Sequence, residues 1–161
     1  MWCNFGYIPW VQYTKPHGKV GCRPSKSAKY RFKDKLRKLT SRKQPGTFEE
    51  ITKKVNQVTT GWINYYGIAR MKRFIEKTQQ WLNHRLRQLI WKRWKKPKTK
   101  YRMLRKYGIN HADAMKSAYS RKGYWRISKS EILHQAITKE KLTKWGLKDI
   151  SQLYELRYLK D

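Results

Sequence analysis

Cations set beside aromatic rings are the chemistry this sequence offers most often. In Ser120-Arg121-Lys122-Gly123-Tyr124-Trp125-Arg126, positive side chains can neutralise phosphates while the rings stack a base or ribose. Whether Trp125 stacks on a ligand or plugs a helical core is left open by spacing alone. The densest charge lies between Trp81 and Lys106, where Arg85, Arg87, Lys92 and Arg93 are followed by Lys95, Lys96, Lys98 and Lys100. An earlier run, Lys29, Lys33, Arg37 and Arg42 among its members, is interrupted only by Asp34. These residues, with Arg121, Lys122, Tyr124, Trp125 and Arg126, are the candidate nucleic-acid-binding set.

Groups suited to covalent or metal chemistry are sparse by comparison. Two-metal catalysis needs carboxylates gathered within a few ångströms, but the four aspartates stand apart at positions 34, 113, 149 and 161. Glu49 and Glu50 are adjacent, and helix capping accounts for them. The four histidines, at 17, 84, 111 and 134, lack metal-ligand spacing, and His84 among its arginines reads as solvated or phosphate-facing rather than as a general base. No Gly-rich phosphate cradle and no Ser/His/Asp or Cys/His set stands out. The expectation is a chain with no catalytic site, metal or cofactor of its own. Cys3 and Cys22 give no disulfide framework, which points to reduced thiols and a cytoplasmic setting. No apolar run approaches the roughly 18 residues of a membrane span, and Met1 is not followed by a signal-like segment.

Forty Lys+Arg against ten Asp+Glu give a formal charge of +30. Self-repulsion on that scale opposes compaction unless a polyanion relieves it. Eight Trp and eleven Tyr nevertheless supply the bulk for a real core. A folded protein with a nucleic-acid partner is expected, its binding steeply salt-dependent through counterion release. RNA and duplex DNA both remain open, because phosphate attraction does not choose between them.

The elements that would carry these groups are mainly helical. Strand formers from Phe5 to Tyr13 and the turn residues Lys15-Pro16-His17-Gly18-Lys19 predict an N-terminal β-hairpin that belongs to a larger sheet. Ser25 or Ser27 caps a helix reaching about Arg42, and Thr47-Phe48-Glu49-Glu50 forms a capping box that opens a second helix through Tyr66. Gly61 within it suggests close helix packing, and Trp62, Tyr65 and Tyr66 read as core. A third helix from near Ala69 runs to Trp94, with Trp81, Leu82, Leu86, Leu89, Ile90 and Trp94 on one face and cations on the other; Pro97 ends it. Thr99 caps a short helix stopping at Gly108, and Asn110 caps the next. The stretch 120–126 is a loop, Ser128 and Glu131 make a further capping box, Thr138 caps the helix ending at Gly146, and Leu147 to Tyr154 close the chain as a turn or helix. The fold class is therefore mainly α, with a short N-terminal hairpin.

Taken in order, Phe32-Lys33-Asp34-Lys35-Leu36-Arg37-Lys38-Leu39-Thr40-Ser41-Arg42, Gly61-Trp62-Ile63-Asn64-Tyr65-Tyr66, Arg85-Leu86-Arg87, Trp91-Lys92-Arg93-Trp94-Lys95 and Ser120 to Arg126 resemble the C-terminal part of bacterial group II intron reverse transcriptase/maturases. The resemblance spans nearly the whole chain. It implies that residues 1–24 are the last strands of a palm, with Asn4-Phe5-Gly6-Tyr7 similar to a family strand. Residues 25–78 would be thumb-like helices, and 79–161 a maturase-specific region merging with a DNA-binding part. It also implies binding to intron RNA and help in its splicing. The fingers, the Tyr-Ala-Asp-Asp-type metal site and a Cys/His endonuclease module have no counterpart in this sequence, so polymerase activity would require a separate palm and fingers chain. Thr60 stands where the family commonly has a basic residue.

Overall fold

The structure is a computed structural model that describes residues 11–14 and 21–158. Strands β1 (Val11–Thr14) and β2 (Gly21–Pro24) pair antiparallel, Val11 opposite Pro24 and Thr14 opposite Gly21. The turn residues 15–19 and the strand formers from Phe5 to Trp10 lie outside the described residues, as does the Asn4 to Tyr7 motif.

Ser25 adopts an extended conformation and its hydroxyl accepts from the Ala28 amide, which starts α1 (Lys26–Leu39). The helix ends three residues short of Arg42, because the Thr40 hydroxyl and amide both turn back to the Leu36 carbonyl. The capping box forms as expected: Glu50 N donates to Thr47 Oγ1 at 3.2 Å and Thr47 N to Glu50 Oε2 at 3.1 Å, opening α2 (Phe48–Tyr66). Phe32 of α1 stacks on Trp62 of α2 with ring centroids 4.4 Å apart, and Trp62 meets Tyr66. Tyr65 is not core; it is 57% exposed.

Gly61 does not mark a close helix approach. A Cβ built there meets nothing within 4 Å, so its only local effect is the helix-propensity cost of glycine. Gly61→Ala is expected to raise the free energy of unfolding by about 0.5–1 kcal/mol, measurable by urea titration. An unchanged or lowered value would mean that the surface beside Gly61 is covered in solution.

Helix α3 (Lys72–Arg93) is the axis of the molecule. It starts three residues later than Ala69, which together with Met71 is buried in the preceding turn and held by Tyr154: the tyrosine hydroxyl donates to the Ala69 carbonyl at 2.8 Å and accepts from the Met71 amide. Leu82, Leu86, Leu89, Ile90, Trp91 and Trp94 are buried along its length, while Trp81 is half-buried. Leu82, Leu86, Leu89 and Ile90 are buried where the spacing puts them, but Asn83, His84, Arg87, Gln88 and Trp91 are buried as well, so α3 is covered on more than its apolar face. α3 packs against α6 and α9, and α2 against α1 and α9, so one apolar cluster extends from Phe32 to Tyr154.

Pro97 plays a different part from the one expected. α3 already ends at Arg93, and Pro97 is the first residue of α4 (Pro97–Lys106), where its missing amide proton costs nothing. Gly108 then takes φ +88°, the left-handed conformation that glycine tolerates best. Asn110 caps α5 (His111–Ala118) by accepting from the Asp113 amide. The 120–126 stretch is only partly a loop, since Tyr124–Ser128 forms the short helix α6. The next cap is Ser130, not Ser128, and it opens α7 (Glu131–Ala136). Thr138 caps α8 (Lys139–Lys144), Gly146 turns at φ +95°, and α9 (Ile150–Tyr158) ends the described chain.

The last turn is fixed from a distance. Asn56 of α2 donates to the Gly146 carbonyl at 2.6 Å and accepts from the Lys148 amide, and Gln79 of α3 accepts from the Ile150 amide. Burial pushes the Asp149 carboxyl up, yet Lys139 at 2.6 Å and the Ser151 amide outweigh it and hold it below the usual carboxylate range. Among the described residues no helix is long and apolar enough to cross a membrane.

Candidate nucleic-acid interface

The candidate cations divide into those held by the fold and those presented to solvent. Arg87 is buried, at 7% exposure; its Nε donates to the Ile137 carbonyl at 2.8 Å and Nη1 lies 3.5 Å from His134 Nε2. It therefore works inside, between α3 and the end of α7. Arg85 donates from Nε to Thr40 Oγ1 at 2.7 Å and from Nη2 to the carbonyls of Arg37 and Thr40. A cation there satisfies carbonyls left over at the C-terminus of α1 and complements its dipole. Burial, then Arg37 and Arg42, lower the Arg85 pKa. Arg93 donates to the Gly46 carbonyl at 2.7 Å and so ties the α1–α2 turn to α3. Nothing in helical periodicity separates these three from a phosphate-facing stripe, because their partners are carbonyls far away in the sequence.

Lys29 and Lys33 are half-buried, each with Nζ 5.4 Å from the Phe74 ring. Burial and the neighbouring Arg23 lower the Lys29 pKa. Lys92 is half-buried on the last turn of α3, whereas Lys95, Lys96 and Lys98 are exposed at the corner into α4. Arg121, Lys122 and Arg126 are exposed around α6.

Three elements converge on the rings of α6. Arg42 Cζ, just past α1, lies 5.4 Å from the Tyr124 centroid, and Lys100 Nζ of α4 lies 5.6 Å from the same ring. Lys100 also sits 4.8 Å over Trp91, and burial lowers its pKa. Trp125, 41% exposed, turns its neighbour side toward His84, with centroids 4.0 Å apart at 78°, and Lys129 Nζ lies 5.5 Å from its ring. Trp125 is thus neither a core plug nor a loose loop residue; it is packed on one side and open on the other.

His84 is neither solvated nor phosphate-facing. It is buried, and its Nε2 lies 3.0 Å from Ser128 Oγ. That hydroxyl gives its one proton to the Trp125 carbonyl at 2.9 Å, so His84 is the donor to it. Burial first, then the charges of Lys129, His134 and Arg87, push the imidazole down to about 4. His84 is neutral at pH 7 and braces Trp125 and Ser128 together.

A cleft of about 390 Å³ opens beside this ring, lined by Arg37, Ser41, Arg42, Lys43, Arg85, Gln88 and Trp125. Lys43, Gln88 and Lys129 are absent from the sequence-derived set. Lys43 could have been found from its place in the run that contains Arg42; Gln88 gives no signal in the sequence. The arrangement suits phosphate neutralisation next to ring stacking.

No curated protein matches this chain. Residues 29–108 match the group II intron, maturase-specific domain, a span that takes in most of α1 and all of α2, α3 and α4, with Arg37, Gln88 and Lys100 on those helices and Arg42 and Lys43 in the turn after α1. The basic helical scaffold of that span and its ordered motifs are those of a maturase region, and residues 29–108 form a group II intron maturase-specific domain.

Proposed function

We propose that this protein binds folded group II intron RNA and assists its splicing, using the cationic surface that meets at Tyr124 and Trp125. The observation that carries the reading is the convergence of Arg42, Lys100 and the cleft cations on those two rings from separate parts of the chain. Side chains fixed by packing present charge without the entropy loss of a mobile tail. Such a surface lowers the repulsion between RNA helices that must pack together. In this reading residues 25–78 act as the thumb-like part and 79–161 as the maturase-specific and DNA-binding-like part, both built around α3.

Lys95, Lys96 and Lys98 are exposed and would add phosphate contacts at the α3–α4 corner. Replacing all three with glutamine is expected to make the slope of log affinity against log salt shallower by about 2–3 for a structured intron RNA, with the melting temperature unchanged. An unchanged slope would remove the corner from the interface. Stronger binding to duplex DNA than to intron RNA at matched salt would replace the RNA reading with a DNA one.

A second reading draws on β1 and β2. Two paired strands are marginal by themselves, and no third strand pairs with them among the described residues. They would extend the sheet of a palm that carries the acidic metal site, completing an RNA-directed DNA polymerase. Primer extension that appears only when this chain is combined with such a palm would support this; its absence with a demonstrably docked palm would reject it.

A further inference from the structure

From the cleft beside Trp125 we infer that the protein captures a single unpaired nucleotide and reads its base edge through Gln88. The inference rests on the RNA-binding reading above and adds a specific ligand to it.

Gln88 is the informative residue. It lines the cleft yet is only 7% exposed, and its carboxamide makes no hydrogen bond to any described residue. Its stem is packed, but its carboxamide atoms are not sealed from solvent, so they stand open to a ligand's edge at the cleft. Its amide carbon bears a donor and an acceptor side by side, which is the pattern that pairs with the edge of a nucleobase. Neighbouring glutamine and asparagine show the contrast: Gln79 is engaged with Asn83 and the Ile150 amide, and Asn56 with Gly146 and Lys148.

The remaining walls supply what a nucleotide needs besides an edge. Trp125 offers an open ring held in place by His84 and the Ser128 hydrogen bond. Arg42 and Lys43 are exposed on the rim, and Arg37 beside them has Asp34 as its partner at 3.5 Å. Flanking phosphates meet those cations while the base enters edge-first toward Gln88. A base inside a duplex cannot do this, because its faces are covered by its neighbours and its pairing edge is occupied. The site therefore selects unpaired nucleotides, and it lies at the small end of the size range of ligand clefts.

The test uses the whole chain and two RNA hairpins that differ only in one bulged nucleotide, with the bulge made in turn A, C, G and U. The bulged hairpin is expected to bind about 5- to 150-fold more tightly than the fully paired one, the range that stacking of one base supplies. Trp125→Ala should erase that preference, read as the ratio of the two hairpins' affinities, and Trp125→Phe should restore part of it. Gln88→Leu, which keeps the buried volume, should leave stacking but bring the four bulged bases to equal affinity. Equal binding of bulged and paired hairpins by the unaltered protein overturns this inference while leaving RNA binding intact; a preference that survives Trp125→Ala overturns it as well. Failure to bind either hairpin, or the intron RNA, even at low salt would instead overturn the RNA-binding reading itself.

Discussion

Arg87→Ala is expected to lower the free energy of unfolding by about 3 kcal/mol, whereas Arg87→Met should cost about 1 kcal/mol or less. Arg87 is buried between α3 and the end of α7, and no carboxylate among the described residues lies within 4.0 Å of it. Its partners are the Ile137 carbonyl and the ring of His134. Truncation to alanine opens a cavity beside the buried Ile137 and leaves the Ile137 carbonyl without its donor, at about 1–3 kcal/mol for the orphaned group. Relief of a desolvated charge, visible in the lowered Arg87 pKa that burial causes, offsets part of that loss. Methionine keeps the volume and removes the charge, so the two opposing effects nearly cancel. Urea titrations of both variants give the comparison directly. If alanine proves as stable as the parent, Arg87 is solvated in the folded state and returns to the set of phosphate contacts. The functional counterpart is sharp: Arg87→Met should leave the salt slope of RNA binding unchanged.

That contrast explains what could and could not be read from the residue order. The apolar stripe of α3 was legible because burial follows a fixed period, and Leu82, Leu86 and Leu89 are buried where the period puts them. The Thr47–Glu50 capping box and the glycines at 108 and 146 were legible because each effect is local to four or five residues. The roles of Arg85, Arg87, Arg93 and His84 were not, since each partner sits 44 to 50 residues away. A guanidinium that caps a distant helix and one that faces a phosphate have the same spacing. Gly61 misled for a related reason: glycine in a helix signals either close packing or an open face, and the open face is what the fold supplies. Pro97 signals a helix stop and a helix start alike, because both roles follow from the same missing donor, and here it is the start of α4. The candidate interface was therefore legible as chemistry, basic side chains among aromatics, but not as a place. Only the folded helices bring Arg42, Lys100 and Tyr124 together.

Acid should destabilise the protein through His84 before Asp34, Glu140 and Asp149 take up protons. The imidazole falls from an ordinary 6.5 to about 4 in the folded chain, with burial as the main cause and Lys129, His134 and Arg87 adding repulsion. The folded state therefore resists the proton that the unfolded chain accepts. Stability is complete above about pH 6.5 and is lost as pH falls toward 4, where the loss levels off. From those two values the His84 contribution to that loss is about 2 kcal/mol between pH 7 and 5 and about 3 kcal/mol in all. His134, lowered by burial and by Arg87, acts in the same direction, so the parent protein should lose somewhat more than His84 alone dictates. Asp34, Glu140 and Asp149 are held below their usual range, and their contributions disappear only in stronger acid. His84→Gln retains a donor for Ser128 and cannot be protonated. Its unfolding free energy, measured in urea at pH 7 and pH 5, should change by about 2 kcal/mol less than that of the parent. Equal changes in the two proteins would put His84 in contact with water and detach Trp125 from its brace. Because that brace holds the stacking ring, the parent should also lose its preference for a bulged hairpin near pH 4, while attraction to the paired RNA, which depends on arginine and lysine charge, persists.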